Sequence, residues 1–505
     1  MLFNSYVFLF LFLPLVLAGT LLLSRFSGRR ASLAWLAVAS LAFYGWWSPV
    51  YLWLIGASIL FNFAIGSRIA AEAGRPGGSP LRGRTMMVVG VAANLAALGW
   101  FKYANFLLDS VNGVSDTGLR LAAVVLPIGI SFFTFQQIAY LVDAHRGETK
   151  EYDLVDYALF VTFFPQLIAG PIVHHREMLP QFTRKGEGLL RSRDVAVGIT
   201  ILVMGLFKKV VLADGAALYA TPVFRAADAG FPPSFGDAWI GTLAYTMQLY
   251  FDFSGYSDMA IGLARLFGIR LPLNFHSPYK ATSIVDFWRR WHMTLSRFLR
   301  DYLYIPLGGN RRGGPRRYAN LLLTMFLGGL WHGAGWTFAA WGLLHGLYLC
   351  VNHAWGAVSA RIGLPPEGAG RPRRMAACLA TFLAVAAGWV FCRATSFDGA
   401  GRILWGMAGG NGFGECAVVA GAPGLRLVAA LLAVVWLLPN TQQWMGRWRP
   451  AYEYGRGVCH WARDDGPLWR IRWAPNAAWG LVVAAMAAFA VARMARATEF
   501  IYYQF

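Results

Sequence analysis

The sequence predicts an all-α, multi-pass integral membrane protein, and three observations carry that expectation. Hydrophobic residues make up 57% of the 505-residue chain and charged residues only 14%, against about 25% charged in a typical soluble domain. Apolar stretches of the length a bilayer demands, about 20 residues, recur from end to end, and the mean hydropathy is +0.46. Arginines gather in the gaps between these stretches. A net charge of +20 would by itself suit a nucleic-acid binder. Short basic clusters between apolar spans instead fit cytoplasmic loops under the positive-inside rule, so the implied partner is the lipid bilayer and not nucleic acid.

In order, the candidate spans are 5–24, 32–48, 51–67, 86–108, 119–142, 154–172, 195–213, 237–266, 319–350, 375–395, 424–439 and 475–495. The stretches 237–266 and 319–350 exceed one crossing, so each is expected to hide a helix break, a re-entrant turn or a short pair, which gives about 11 to 13 membrane segments. The first apolar run lacks a basic leader and a small-residue cleavage site before Arg25, and it reads as a retained span. Arg25, Arg29 and Arg30, and then Arg68, Arg75, Arg82 and Arg84, bracket two spans that turn at Ser48-Pro49. With both clusters cytoplasmic, the N-terminus lies outside. Arg184, Lys185, Arg191 and Arg193, the 311–317 and 371–374 clusters and the arginine-rich 447–472 loop read as inside too. One further span then places the C-terminus outside. The whole chain, 1–505, is expected to be one transmembrane domain. It divides into N-terminal helices (1–150), a motif-bearing core (151–350) and C-terminal helices with an aromatic tail (351–505).

The segment 277–318 is unlike a spanning helix. Phe287, Arg290, Trp291, Thr294 and Phe298 recur at three to four residue spacing, which predicts an amphipathic helix that lies at an interface, re-enters the membrane or lines a polar cavity. Within the run Phe163-Phe164-Pro165-Gln166-Leu167-Ile168-Ala169-Gly170-Pro171-Ile172, two prolines and a glycine predict a helix broken inside the bilayer, which is tolerated where backbone lines a cavity. The adjacent His174 and His175 point to different helix faces and are poor joint metal ligands; a structural or solvated role at the membrane edge is expected.

Ionisable groups at membrane depth are costly and mark functional sites by default. His332, in Gly328-Gly329-Leu330-Trp331-His332-Gly333-Ala334-Gly335-Trp336, is the leading candidate, with His292 in Trp288-Arg289-Arg290-Trp291-His292 beside it. Imidazole is the usual general base near neutral pH. The flanking glycines let backbones approach closely, as a tunnel wall or a helix break requires. His345 sits among apolar neighbours and reads first as a packing residue. Asp252 and Asp258, in Tyr250-Phe251-Asp252-Phe253-Ser254-Gly255-Tyr256-Ser257-Asp258, need polar partners. The arginines of 289–300 can supply these, and a ligand-binding role is the alternative. No Gly-x-Ser-x-Gly elbow or glycine-rich phosphate loop is present. The five cysteines show no Cys-x-x-Cys spacing, so no metal site is expected.

Trp288 to Asn310 and Gly328 to Trp336 resemble the membrane-bound O-acyltransferases (MBOAT). Phe163 to Ile172 and the opening Leu2-Phe3-Asn4-Ser5-Tyr6-Val7 are similar to the bacterial branch that acetylates alginate, cellulose or peptidoglycan. The resemblance implies a ring of helices around a thinned centre with a through-tunnel, in the inner membrane. It implies His332 as the catalytic histidine and His292 as the second. In the mechanism that follows, His292 would position or stabilise the developing oxyanion, Arg289, Arg290 and the 311–317 cluster would attract the donor's phosphates, and Trp291, Trp331, Asp252 and Asp258 are further donor-binding or tunnel-lining candidates. The resemblance also implies a cytoplasmic thioester donor, acetyl-CoA, with no bound cofactor. A periplasmic partner of the SGNH-hydrolase type would place the acetyl group on an exopolysaccharide. The closing Phe500-Ile501-Tyr502-Tyr503-Gln504-Phe505 resembles a C-terminal motif whose tyrosine carries the acyl group. Tyr502 matches that position, although the pattern usually has Phe where Tyr503 stands. Rival readings are acetylation of peptidoglycan, D-alanine transfer to teichoic acid, and a lipid or polymer transporter; transporters often carry inverted repeats, and none is visible.

Overall fold

The computed structural model describes residues 1–74, 79–115, 117–149, 153–168, 170–182, 191–363, 370–419, 421–455 and 472–495. Tyr502 and the rest of the aromatic tail lie outside them, as do Arg184 and Lys185. Among the described residues all regular structure is helical. Five helices are long and apolar enough to cross a membrane: Phe8–Phe26, Pro49–Gly74, Pro80–Ser115, Ser192–Asp228 and Arg371–Arg393. Gly421–Leu437 and Ala477–Arg493 are shorter apolar helices. By their contacts the residues form two compact units. The first is Met1–Leu202, Ser257–Pro272 and Pro450–Arg456; the second is Val203–Tyr256, Leu273–Arg449 and Gly457–Phe505.

In the first unit, the expected span 119–142 is corrected. The helix starts only at Ile130. Pro127 disfavours helical backbone in the residue before it, and Gly129 adopts φ +75°, so the apolar residues before them form no helix. The break at 163–172 is present. Helix Leu154–Thr162 ends at Phe163, whose ψ is 107°, and Pro165 opens the next turn. The buried Gln166 donates through Nε2 to the Phe160 carbonyl at 2.7 Å, which satisfies an acceptor that the break releases. His174 and His175 are buried rather than solvated. The His175 Nδ1 lies 3.5 Å from Asp143 Oδ2.

In the second unit, six helices frame the two candidate histidines. They are α1 (Phe235–Leu266, through Tyr256), α2 (Ile284–Arg290), α3 (Met293–Leu299), α4 (Gly314–His332), α5 (Trp336–Arg361) and α6 (Arg371–Arg393). Two expectations change here. The long 237–266 stretch is one unbroken helix of 32 residues. The amphipathic run around 287–298 is two short helices, not one, because Trp291 is extended and His292 left-handed. The 319–350 stretch does break. Gly333 and Gly335 are both extended, so α4 ends on His332 and α5 begins at Trp336.

Helices α4 and α5 fold back on each other through glycine. A Cβ on Gly329 would collide with the Phe338 carbonyl, and one on Gly342 with the Met325 carbonyl. Small residues at such crossings matter in lipid, where helix association rests on van der Waals contact because the tails are as apolar as the side chains. The basic 311–317 and 371–374 clusters flank the outer ends of this hairpin. Around it the core is aromatic: Tyr279, Trp291, Trp341 and Trp389 are each no more than 2% exposed.

Candidate active site

The site grows from a strained turn. Ser283 caps α2, its Oγ accepting from the Asp286 amide, and the helix runs only to Arg290. His292 then takes φ +43°, a conformation uncommon outside glycine. Neighbouring contacts hold it there. The Met293 amide donates to the Asn274 carbonyl at 2.9 Å. The Asn274 side-chain oxygen accepts from Thr294 Oγ at 2.9 Å and from the His292 ring Nδ1 at 3.2 Å. An amide oxygen only accepts, so this bond puts the His292 proton on Nδ1 and leaves Nε2 as an acceptor. His292 is wholly buried, and the Phe253 ring meets it edge-on at 4.8 Å.

His332, delivered by the last turn of α4, lies 5.9 Å from His292 between ring centroids. The two residues that the sequence singled out are therefore brought together. They differ in exposure: His292 is sealed, while His332 is half-buried and borders a small cavity of about 20 Å³. Leu249, Phe253, Trp291, Phe338, Trp341, Trp389 and Cys392 complete its wall. The lining is apolar, and His332 is the basic group on it. Trp331 is buried, 5.0 Å from the His332 ring and 6.0 Å from His292.

The remaining sequence candidates divide. Trp291 lines the cavity. Arg290 is buried and paired with Asp286 at 2.9 Å, whereas Arg289 is exposed. Asp252 pairs with Lys209, not with the arginines of 289–300. The Lys209 Nζ stands 2.8 Å from both Asp252 and Asp214, and its side chain is 1% exposed. Lys209 sits on a π-helical turn, Lys208–Ala213, and the pairing anchors that turn to α1 one residue before Phe253. Asp258 is buried and belongs to the first unit. Sequence reasoning passed over Asn274, Lys209, Trp341 and Trp389. The run Asn274-Phe275-His276-Ser277-Pro278, polar and turn-forming, was the available signal for the first.

A profile of the MBOAT, membrane-bound O-acyltransferase family matches residues 92–372, a range that contains both histidines. The chain is 44% identical over 442 residues to the peptidoglycan O-acetyltransferase of Helicobacter pylori, covering 82% of this chain and 81% of that protein. It is 46% identical over 412 residues to the probable alginate O-acetylase AlgI of Azotobacter vinelandii, covering 81% of this chain and 78% of that protein. It is 30% identical over 238 residues to the teichoic acid D-alanyltransferase of Streptococcus thermophilus, covering 45% and 57%.

Proposed function

We propose, from the premise that the chain belongs to the membrane-bound O-acyltransferase family, that this enzyme carries an acetyl group from cytoplasmic acetyl-CoA across the bacterial inner membrane for O-acetylation of a secreted polysaccharide. The observation that carries the mechanism is the pairing of a cavity-lining histidine with a sealed one. His332 faces the cavity and acts as the general base, taking the proton of an acceptor hydroxyl while that oxygen attacks the thioester carbonyl. The tetrahedral intermediate collapses with loss of the thiolate of CoA, which recovers a proton from the His332 imidazolium. Help of this kind is worth about 10²–10⁴-fold.

The tautomer of His292 narrows its role. With the proton on Nδ1 and held by Asn274, Nε2 offers a lone pair rather than a donor. His292 therefore orients a proton-bearing group, the acceptor hydroxyl or the His332 ring, and does not itself donate to the oxyanion. The hydroxyl belongs to Tyr502 or to a periplasmic partner of the SGNH-hydrolase type. Acetyl transfer is favoured over D-alanine transfer because relatives named for acetylation match at 44–46% identity across about four fifths of the chain. The D-alanyl relative matches at 30% over less than half. Relatives named for both peptidoglycan and alginate support a glycan acceptor of either kind.

The test is incubation of the purified chain in lipid with radiolabelled acetyl-CoA. Label moves to the chain or to a supplied acceptor in the wild type, and its transfer falls by about 10²–10⁴-fold in His332→Ala. Undiminished transfer by His332→Ala overturns the assignment.

A further inference from the structure

The oxygen of the thioester carbonyl becomes anionic in the tetrahedral intermediate, and neither histidine meets it. His332 offers a lone pair until it takes the hydroxyl proton, and Nε2 of His292 is an acceptor. An oxyanion in an apolar site needs a donor already in place. Besides His332, the side-chain N–H groups on the cavity wall belong to three indoles, Trp291, Trp341 and Trp389. Trp341 packs directly on His332, ring against ring at 5.2 Å with an interplanar angle of 89°.

Trp341 is 1% exposed, and its Nε1 has no hydrogen-bond partner among the described residues. A buried indole N–H usually finds one. Leaving it unmet costs free energy that a phenyl ring in the same place would not. The ring is also held still. Trp389 stacks on it at 5.5 Å with the planes 19° apart. Trp288 and His345, themselves 5.3 Å apart, pack on it at 6.0 and 5.1 Å. An indole fixed by three neighbouring rings keeps its dipole in one direction and needs no reorganisation when charge develops beside it.

The size of the cavity supplies the last link. At about 20 Å³ it has room for about one water or one carbonyl-sized group. A thioester carbonyl that reaches His332 there is in contact with Trp341 as well.

We propose that Trp341 is a catalytic residue whose Nε1–H donates to the thioester oxygen and stabilises the oxyanion of the tetrahedral intermediate. The inference rests on the reading that His332 assists acyl transfer from a thioester. As the acceptor oxygen bonds to the carbonyl carbon, the C=O π pair moves onto the carbonyl oxygen and the hydrogen bond from the indole tightens. The pair returns as the C–S bond breaks and the thiolate leaves. The indole keeps its proton throughout. Because the bond strengthens only as charge develops, it lowers the barrier more than it tightens substrate binding.

Two substitutions separate the N–H from the ring. Trp341→Phe removes the N–H and part of the ring. Trp341→benzothienylalanine, introduced at an amber codon, puts sulfur in place of the N–H and keeps the shape. Acetyl transfer from acetyl-CoA is measured on the full chain in lipid nanodiscs, beside the melting temperature. Both variants are expected to lose about 10²-fold in kcat. In the benzothienyl variant KM stays near that of the wild type, and the melting temperature stays level or rises because an unmet donor has been removed.

Wild-type kcat in Trp341→benzothienylalanine overturns the proposal, whatever Trp341→Phe does, and leaves the ring as wall alone. A loss of kcat in that isostere that comes with a fallen melting temperature, or with KM raised in proportion, overturns it too, as packing or substrate binding. A wild type that transfers no acetyl group withdraws the reading of His332 and this proposal with it. That result is distinct from a wild type that transfers while the isostere keeps pace.

Discussion

His292 occupies a left-handed backbone conformation that glycine would adopt freely, and the chain keeps histidine there at a conformational cost of about 1–3 kcal/mol. The contacts that hold it (Asn274 on the ring, the Asn274 carbonyl on the next amide) also fix which nitrogen carries the proton. Asparagine tolerates the left-handed region well. His292→Asn is therefore expected to keep the fold, seen as an unshifted melting temperature, and to lower acetyl transfer about 10²-fold. Transfer at the wild-type rate in a well-folded His292→Asn would show that the ring is scaffolding. Lys209 makes a different case at the same scale. Burying one ammonium between two carboxylates is tolerable only while all three are present, and removing one partner of such a set costs about 3–5 kcal/mol. Lys209→Met should sharply lower the melting temperature, and Lys209→Met with Asp252→Asn should recover part of the loss. The two histidines were legible in the sequence because imidazoles in apolar runs stand out one at a time. The partners Asn274 and Lys209 were not, since a single Asn in a loop or a Lys at the end of an apolar run has many ordinary uses.

At the scale of elements, the glycines between α4 and α5 decide where His332 ends up. Extended backbone at Gly333 and Gly335 stops one helix and starts the next, while Gly329 and Gly342 let the pair close. Adding one methyl at either crossing point forces the helices apart, with a cost of about 1–3 kcal/mol. Gly342→Ala should lower both thermal stability in detergent and transfer rate; unchanged behaviour in both would mean that the crossing is looser than its geometry. The break at 333–335 was readable from Gly-Ala-Gly, and the break near Phe163 from its prolines. The turn at Trp291 and His292 was not. Its residues suit a helix by spacing, and bonds to Asn274, with the His276 amide donating to the Arg290 carbonyl, hold the backbone out of it. The unbroken α1 was also missed, because hydropathy measures length without showing whether a long apolar helix is tilted or divided.

For the whole molecule, the positive-inside rule makes a prediction that geometry sharpens. The hairpin of α4 and α5 has basic clusters at both outer ends, so 311–317 and 371–374 should face the same side, the cytoplasm. Single cysteines introduced at Arg316 and Arg373 should react with an impermeant thiol reagent only in inverted vesicles. Labelling of either position in intact spheroplasts would reverse the orientation, and with it the route of the donor.

Sequence by itself determined the class of protein, the order of most helices, the family and the two histidines. Those properties are sums over some 20 neighbouring residues or single costly substitutions, and the bilayer makes both conspicuous by penalising every exposed polar group. Tertiary structure alone decided the partnerships. It joined His292 to Asn274, 18 residues away, and Lys209 to Asp252, and it set Trp288, Trp341 and His345 in one triangle. Such pairings depend on where separate helices cross in space, which no local pattern of hydropathy or periodicity encodes.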